Sequence, residues 1–187
     1  PDLTPTEIKS ALMLTAVTKG TLKEDGATPT DPFDLGAGRI DLNRAKKAGL
    51  VMSESMDNFL LADPASGGDP SSLNIASMMN SNCVGSCSWT RTVTNKDKKS
   101  SEWVVSANAD GFEVELSLDS VDGKQPKKPK KPKKHGHDNE DDSISFKLKR
   151  DESATFTVTV NNLQSDVGWQ FGSIDIAKGK KGNQDKK

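Results

Sequence analysis

The stretch Ala154-Thr155-Phe156-Thr157-Val158-Thr159-Val160 puts an apolar side chain at every second position, with threonine between. In an extended strand successive side chains point to opposite faces, so this stretch has one apolar and one hydroxyl-bearing face. That is the pattern of a half-buried strand in an antiparallel sheet, polar side out. The same period recurs on either side of it. Trp103, Val105 and Ala107 alternate with Val104 and Ser106, and Phe112, Val114, Leu116 and Leu118 with Glu113, Glu115 and Ser117. Ile144, Phe146 and Leu148 alternate with Ser145, Lys147 and Lys149.

Adding Leu73–Met78, Trp89–Thr94 and Trp169–Ile176 gives about seven strands between 73 and 178. Seven strands is the number expected of an immunoglobulin-like or fibronectin-III-like sandwich. Single tryptophans on alternating strands fill such a core, which assigns Trp89, Trp103 and Trp169 to the interior rather than to an exposed ligand platform.

Upstream of 73 the pattern is different. Thr4 is a suitable N-cap, Pro5 suits the first helical turn, and Glu7 stands three residues after the cap, which together make a capping box. Ile8, Ala11, Leu12 and Thr15 follow helical spacing and predict one buried stripe on a helix running to about Ala16. Residues 19–32 read as a loop. Arg39–Leu42 reads as a very short strand, and Asn43–Ala48 as a brief helix closed by Gly49. Residues 53–72, with Asp63-Pro64 and Gly67-Gly68-Asp69-Pro70, read as a linker that packs partly through Phe59 and Leu60.

Hydrophobic residues are 32% of the 187 and charged residues 28%, so some stretches must be solvated. Residues 122–142 are the clearest. Their Lys-Pro repeat favours extended polyproline II, His135-Gly136-His137 and an acidic tract follow, and no core comes from that composition. A further disordered tail is expected over 179–187. A net charge of -1 gives no global reason to expect nucleic acid. The lysine run lacks the interleaved aromatics that would stack on bases. Metal binding by the His-x-His stretch is disfavoured, because nothing rigid sets a ligand geometry. No apolar run approaches a membrane span.

Cys83 and Cys87 lie in a Gly-containing turn and suit a small disulfide loop in an oxidising compartment, with two reduced thiols as the alternative. A zinc site would need a second pair of ligands of that type. Nucleophilic catalysis needs an imidazole held in a rigid fold, and the two histidines both fall in the charged loop. The chain begins without an initiator Met or signal peptide, and its true start is expected upstream.

Residues 1–16, from Pro1-Asp2-Leu3-Thr4-Pro5 through Leu12-Met13-Leu14-Thr15-Ala16, resemble the helix that follows the nucleophile helix in subtilisin-like serine peptidases. Phe33-Asp34-Leu35-Gly36-Ala37-Gly38-Arg39-Ile40-Asp41-Leu42-Asn43-Arg44-Ala45 resembles that family's closing segment, in family order. Gly49-Leu50-Val51 is similar to the exit into a fibronectin-III-like domain. Leu73-Asn74-Ile75-Ala76-Ser77 and Arg91-Thr92-Val93-Thr94-Asn95 are similar to strands of that domain. The Cys83–Cys87 loop before Trp89 looks like a secreted bacterial subgroup.

The resemblance implies the end of an α/β subtilisin-like domain over 1–52, a linker over 53–72, and a fibronectin-III-like sandwich over 73–178. It makes Thr4, Pro5, Glu7, Ala11, Leu12, Thr15, Ala16, Gly36, Gly38, Asn43 and Ala45 structural residues of family motifs, none catalytic. The family's Asp, His and Ser motifs are absent, so the chain by itself is expected to be inactive and to hold no cofactor. The resemblance allows calcium only in the parent catalytic domain. It implies secretion or cell-surface location, the upstream part of the same catalytic domain as partner, and polypeptides as the parent's substrates. The alternative is a non-enzymatic sandwich acting as an extracellular binding or adhesion module.

Overall fold

The computed structural model describes residues 3–109, 111–126, 143–161 and 168–179. Among these residues, seven antiparallel strands form two facing sheets. These are β1 (Leu50–Val51), β2 (Cys87–Asn95), β3 (Ser101–Ala109), β4 (Glu113–Val121), β5 (Ser143–Leu148), β6 (Ser153–Asn161) and β7 (Gly172–Lys178). One sheet has the order β1-β2-β6-β4 and the other β5-β3-β7.

The stretch 154–160 is the centre of this arrangement. In β6 its residues alternate between buried and half-buried, and it pairs with β2 on one side and β4 on the other. Phe156, Leu148, Val93 and Val105 are at most 1% exposed and meet between the sheets with Trp103 and Phe146. Each such side chain contributes about 1.5–3 kcal/mol on leaving water. On the outer face the threonines pair across the ladder, Thr90 with Thr157 at 3.0 Å and Thr92 with Thr155 at 2.9 Å. Cross-strand hydroxyl pairs of this kind also fix the register.

Six of the seven strands fall where the alternation places them. The seventh does not. Residues 73–78 form no strand, and the fourth member of the first sheet is instead β1, whose Leu50 and Val51 pair with Asn95 and Thr94. Asn74 explains the exchange. Its side-chain Oδ1 accepts from Thr92 N at 2.8 Å and its Nδ2 donates to Thr92 O at 2.9 Å, so one amide side chain satisfies the β2 edge as a strand backbone would. The last strand starts at Gly172 rather than Trp169.

The N-terminal segment carries α1 (Pro5–Leu14), α2 (Pro32–Leu35) and α3 (Leu42–Ala45). The expected short strand at 39–42 is a single bridge, Val17 with Arg39, and the brief helix begins at Leu42 because Asp41 caps it. Residues 53–72 are more ordered than a linker. They hold α4 (Met56–Leu61) and 3-10 turns at Pro64–Ser66 and Pro70–Ser72, each capped by a Ser or Asp side chain. The Lys/Pro/acidic stretch lies outside the described residues from 127 to 142, and the expected tail from 180.

Candidate functional site

α1 is the element on which the site is built. Thr4 and Glu7 form the expected capping box, with Thr4 N donating to Glu7 Oε2 at 2.8 Å. The helix stops at Leu14 rather than Ala16, with Thr15 Oγ1 donating back to Ala11 O at 2.7 Å. Its orientation departs from the expected apolar stripe. The side facing the sandwich carries Glu7, Ser10 and Ala11, all buried, while Ile8 is 49% exposed and Leu12 and Thr15 are only half-buried.

Polar partners on the sandwich account for this. Lys96 Nζ, in the turn after β2, lies 3.0 Å from Glu7 Oε1 and 3.3 Å from Asp151 Oδ1 in the turn before β6. Ser10 Oγ accepts from Met52 N at 2.7 Å. Burial pushes the Glu7 carboxyl up, but the Thr4 N–H and the Lys96 ammonium outweigh it and hold it below its ordinary 4.5. The hydrogen bond to Glu7 leads the effects that raise Lys96 above its ordinary value.

A second buried charge ties down the segment between α4 and β2. Arg91 is 2% exposed and donates to the carbonyls of Ile75 at 2.8 Å, Ser77 at 3.1 Å, Ser71 at 3.3 Å and Thr90 at 2.8 Å. Burial pulls its guanidinium down from the ordinary value, and the Glu54 charge opposes that shift. Glu54 is itself held low. Burial raises it, but the N–H groups of Asn74 and Ser55 and the Asn58 amide outweigh that.

With its polar side turned inward, the N-terminal third shows apolar side chains to solvent. Ile8, Leu22, Phe33, Ile40, Leu42, Met56, Leu60 and Leu61 are each 49–74% exposed, eight of the twelve exposed large hydrophobics among the described residues. Leu60, expected to pack, is one of them. Phe59 does pack, beneath the ammonium of Lys9 at 5.8 Å. Trp169 is also outside the core. Its ring stands edge-on to Phe33 with centroids 5.0 Å apart, whereas Trp89 and Trp103 are buried as expected.

The remaining motif residues have local structural roles. Gly36, with φ 58, ends α2. Gly38 sits at φ 115, and a Cβ there would stand 2.8 Å from Val17 O, so the close Val17–Arg39 pairing requires glycine. Asn43 N donates to the Asp41 cap, and Ala45 ends α3. Cys83 and Cys87 are joined in a disulfide with Cα atoms 5.8 Å apart. His135 and His137 lie outside the described residues. Among the described residues no group of three or more His, Cys, Asp and Glu could hold a metal, and no helix is long and apolar enough to cross a membrane.

Residues 72–183, more than half of the chain, match the family model described as fibronectin type-III domain. The chain belongs to the fibronectin type-III family.

The fibronectin type-III match starts one residue before the expected sandwich boundary and takes in every strand except β1. The chain is also similar to plant proteases. It is 41% identical over 66 residues to subtilisin-like protease SBT3.18 of Arabidopsis thaliana, covering 33% of this chain and 8% of that protein. It is 48% identical over 56 residues to SBT1.3 of the same plant, covering 27% of this chain and 7% of that protein. The figures for SBT3.12 are 35% over 81 residues, 40% and 11%. The matches thus span about a tenth or less of these relatives. They are plant proteins, so the expectation of a bacterial subgroup is not supported.

Proposed function

We propose that this chain is the C-terminal portion of a secreted subtilisin-like serine endopeptidase. Residues 1–52 complete the catalytic α/β domain, and the fibronectin type-III sandwich holds them in place. The observation that carries this reading is the burial of polar side chains of α1 beside exposed apolar ones in the N-terminal third. Glu7 and Ser10 are buried against the sandwich while eight large apolar side chains between 8 and 61 face water. So many exposed apolar side chains in one third of a chain whose mean hydropathy is -0.66 support their being covered in a longer protein. The similarity to subtilisin-like proteases supplies the partner: the upstream part of the same catalytic domain. The Cys83–Cys87 disulfide supports an oxidising, extracellular setting.

On this reading the Ser nucleophile, His base and Asp orienter all lie in the upstream part, which hydrolyses peptide bonds in polypeptide substrates. This chain supplies buried surface and a fixed position for α1. The test is a serine-directed fluorophosphonate probe applied to the 187-residue chain and to the parent-length protein. The expected outcome is labelling, with peptide hydrolysis, of the parent alone. Labelling of the isolated chain, or an intact gene with no nucleophile motif upstream, would contradict the reading and favour a binding or adhesion module.

A further inference from the structure

The Cys83–Cys87 disulfide stands apart from the sandwich core. It lies at the start of β2 rather than between the two sheets, and it closes a loop of sequence separation 4. Loops that short lie at the low end of what a disulfide stabilises. Both cysteines are only half-buried, and residues 79–82 and 84–86 around them are all exposed. Disulfides that solvent thiols can reach are the ones that exchange, whereas buried structural ones resist. Residues 70–90 hold no charged side chain, so no neighbouring carboxylate along the chain repels an incoming thiolate.

The two sulfurs are not equivalent. Asn80 Nδ2 donates to Cys87 Sγ at 3.5 Å, and among the described residues Cys83 Sγ has no such donor. The Asn80 amide is itself fixed, its Oδ1 accepting from Asn82 N at 2.8 Å. A donated hydrogen bond favours the charged form of the group that receives it, so Cys87 is the better leaving thiolate. Position points the same way. Cys87 is held in β2 in register with Val160, whereas Cys83 lies in the irregular segment before the strand.

We propose that this bond is a reversible thiol-exchange site, opened from the Cys83 side by a small thiolate of the glutathione class. The thiolate sulfur attacks Cys83 Sγ, the Cys83–Cys87 S–S bond breaks, and its electron pair leaves on Cys87 Sγ. Cys83 then carries a mixed disulfide, and Asn80 Nδ2 stabilises the Cys87 thiolate until it takes a proton from water. One disulfide is exchanged for another, with no net oxidation. Attack of the Cys87 thiolate on Cys83 Sγ reverses the step and expels the small thiol. With the bond open, Ser86 Oγ still donates to Asn161 Oδ1 at 2.8 Å, which ties the loop to the end of β6 and keeps the change local.

The test exposes the folded 187-residue chain to reduced glutathione at neutral pH, stops the reaction with acid at intervals, and locates the adduct by peptide mass spectrometry. The chain has two cysteines, so each adduct has one of two addresses. Glutathione is expected on Cys83 over Cys87 by about threefold or more, the discrimination that one hydrogen bond supplies. Asn80→Ala removes the donor, and Asn80→Asp removes it while keeping an acceptor for Asn82 N. Each is expected to slow opening about threefold or more and to level the preference. A substitution that merely loosened the loop would speed opening instead. The preference is also expected to disappear when the unsubstituted chain is unfolded in urea. Glutathione found mainly on Cys87, or equally on both sulfurs of the folded chain, overturns the proposal. So does an opening rate that ignores or rises with both Asn80 substitutions, or a bond that glutathione opens only after urea unfolds the chain.

Discussion

Replacing Lys96 by Met removes the ammonium that joins α1 to the sandwich but leaves the Thr4–Glu7 capping box intact, and Glu7→Gln does the same from the other side. At 3.0 Å two unit charges in an effective dielectric of about 20 attract by about 5 kcal/mol. Desolvating both groups and ordering the long lysine side chain offset most of that. We expect a coupling energy of about 1–2 kcal/mol from the double-mutant cycle of Lys96→Met with Glu7→Gln. The pair lies toward the stronger end of such interactions, because the side chains are only 21% and 9% exposed.

Urea unfolding of the four proteins gives the energy. Amide exchange at Ile8 to Ala11 locates it, with a tenfold faster rate for each 1.4 kcal/mol lost. The pH dependence follows from the directions of the two shifts. Glu7 is lowered, so its contribution is present above 4.5 and is lost as pH falls through its depressed folded value. Lys96 is raised, so its contribution is complete below 10.5 and is lost as pH rises through its elevated folded value. Asp151 also lies 3.3 Å from Lys96 Nζ and pairs with Arg150 at 3.3 Å. A cycle energy within 0.3 kcal/mol of zero, or unchanged α1 exchange in Lys96→Met, would refute the claim that this pair sets the helix orientation.

Arg91→Met strands four carbonyls at 71–77 and 90, and is expected to cost about 3–5 kcal/mol in urea unfolding. An effect below about 1 kcal/mol would mean that water replaces the guanidinium freely. Gly38→Ala forces a Cβ to 2.8 Å from Val17 O at a φ of 115, and should lower stability by about 1–3 kcal/mol with loss of protection at Val17 and Arg39. Replacing Cys83 and Cys87 together by Ser opens a loop of sequence separation 4 and should cost about 2 kcal/mol, seen as a lower urea midpoint. An unchanged midpoint would show that the loop is already ordered without the bond.

The sandwich was legible because a period of two over seven or more residues leaves little ambiguity, as in 154–160, and because the two buried tryptophans follow that period. Leu50–Val51 was not legible as a strand, since two residues carry no period. Residues 73–78 look like a strand, yet their hydrogen-bonding role passes to the side chains of Asn74 and Arg91, which alternation does not register. The orientation of α1 was hidden for a related reason. Spacing identified Ile8, Ala11, Leu12 and Thr15 as one face, but the partners that draw Glu7 and Ser10 inward are Lys96 and Met52, 89 and 42 residues further along the chain. Trp169 was misplaced because its strand starts three residues later than the alternation suggests, at Gly172. A Ser, Thr or Asp before an expected turn was the one signal that could have located α4 and the capped turns of 53–72.

In the proposed parent, another part of a subtilisin-like domain covers the apolar side chains that residues 8–61 expose. Amide exchange measured over 8–61 in the isolated 187-residue chain and in the parent-length protein tests it most directly. Exchange around Ile8, Ile40, Leu42 and Met56–Leu61 is expected to slow about a hundredfold or more in the parent, as when contacts worth about 2.7 kcal/mol or more form on one state only. Equal rates in the two proteins would contradict it.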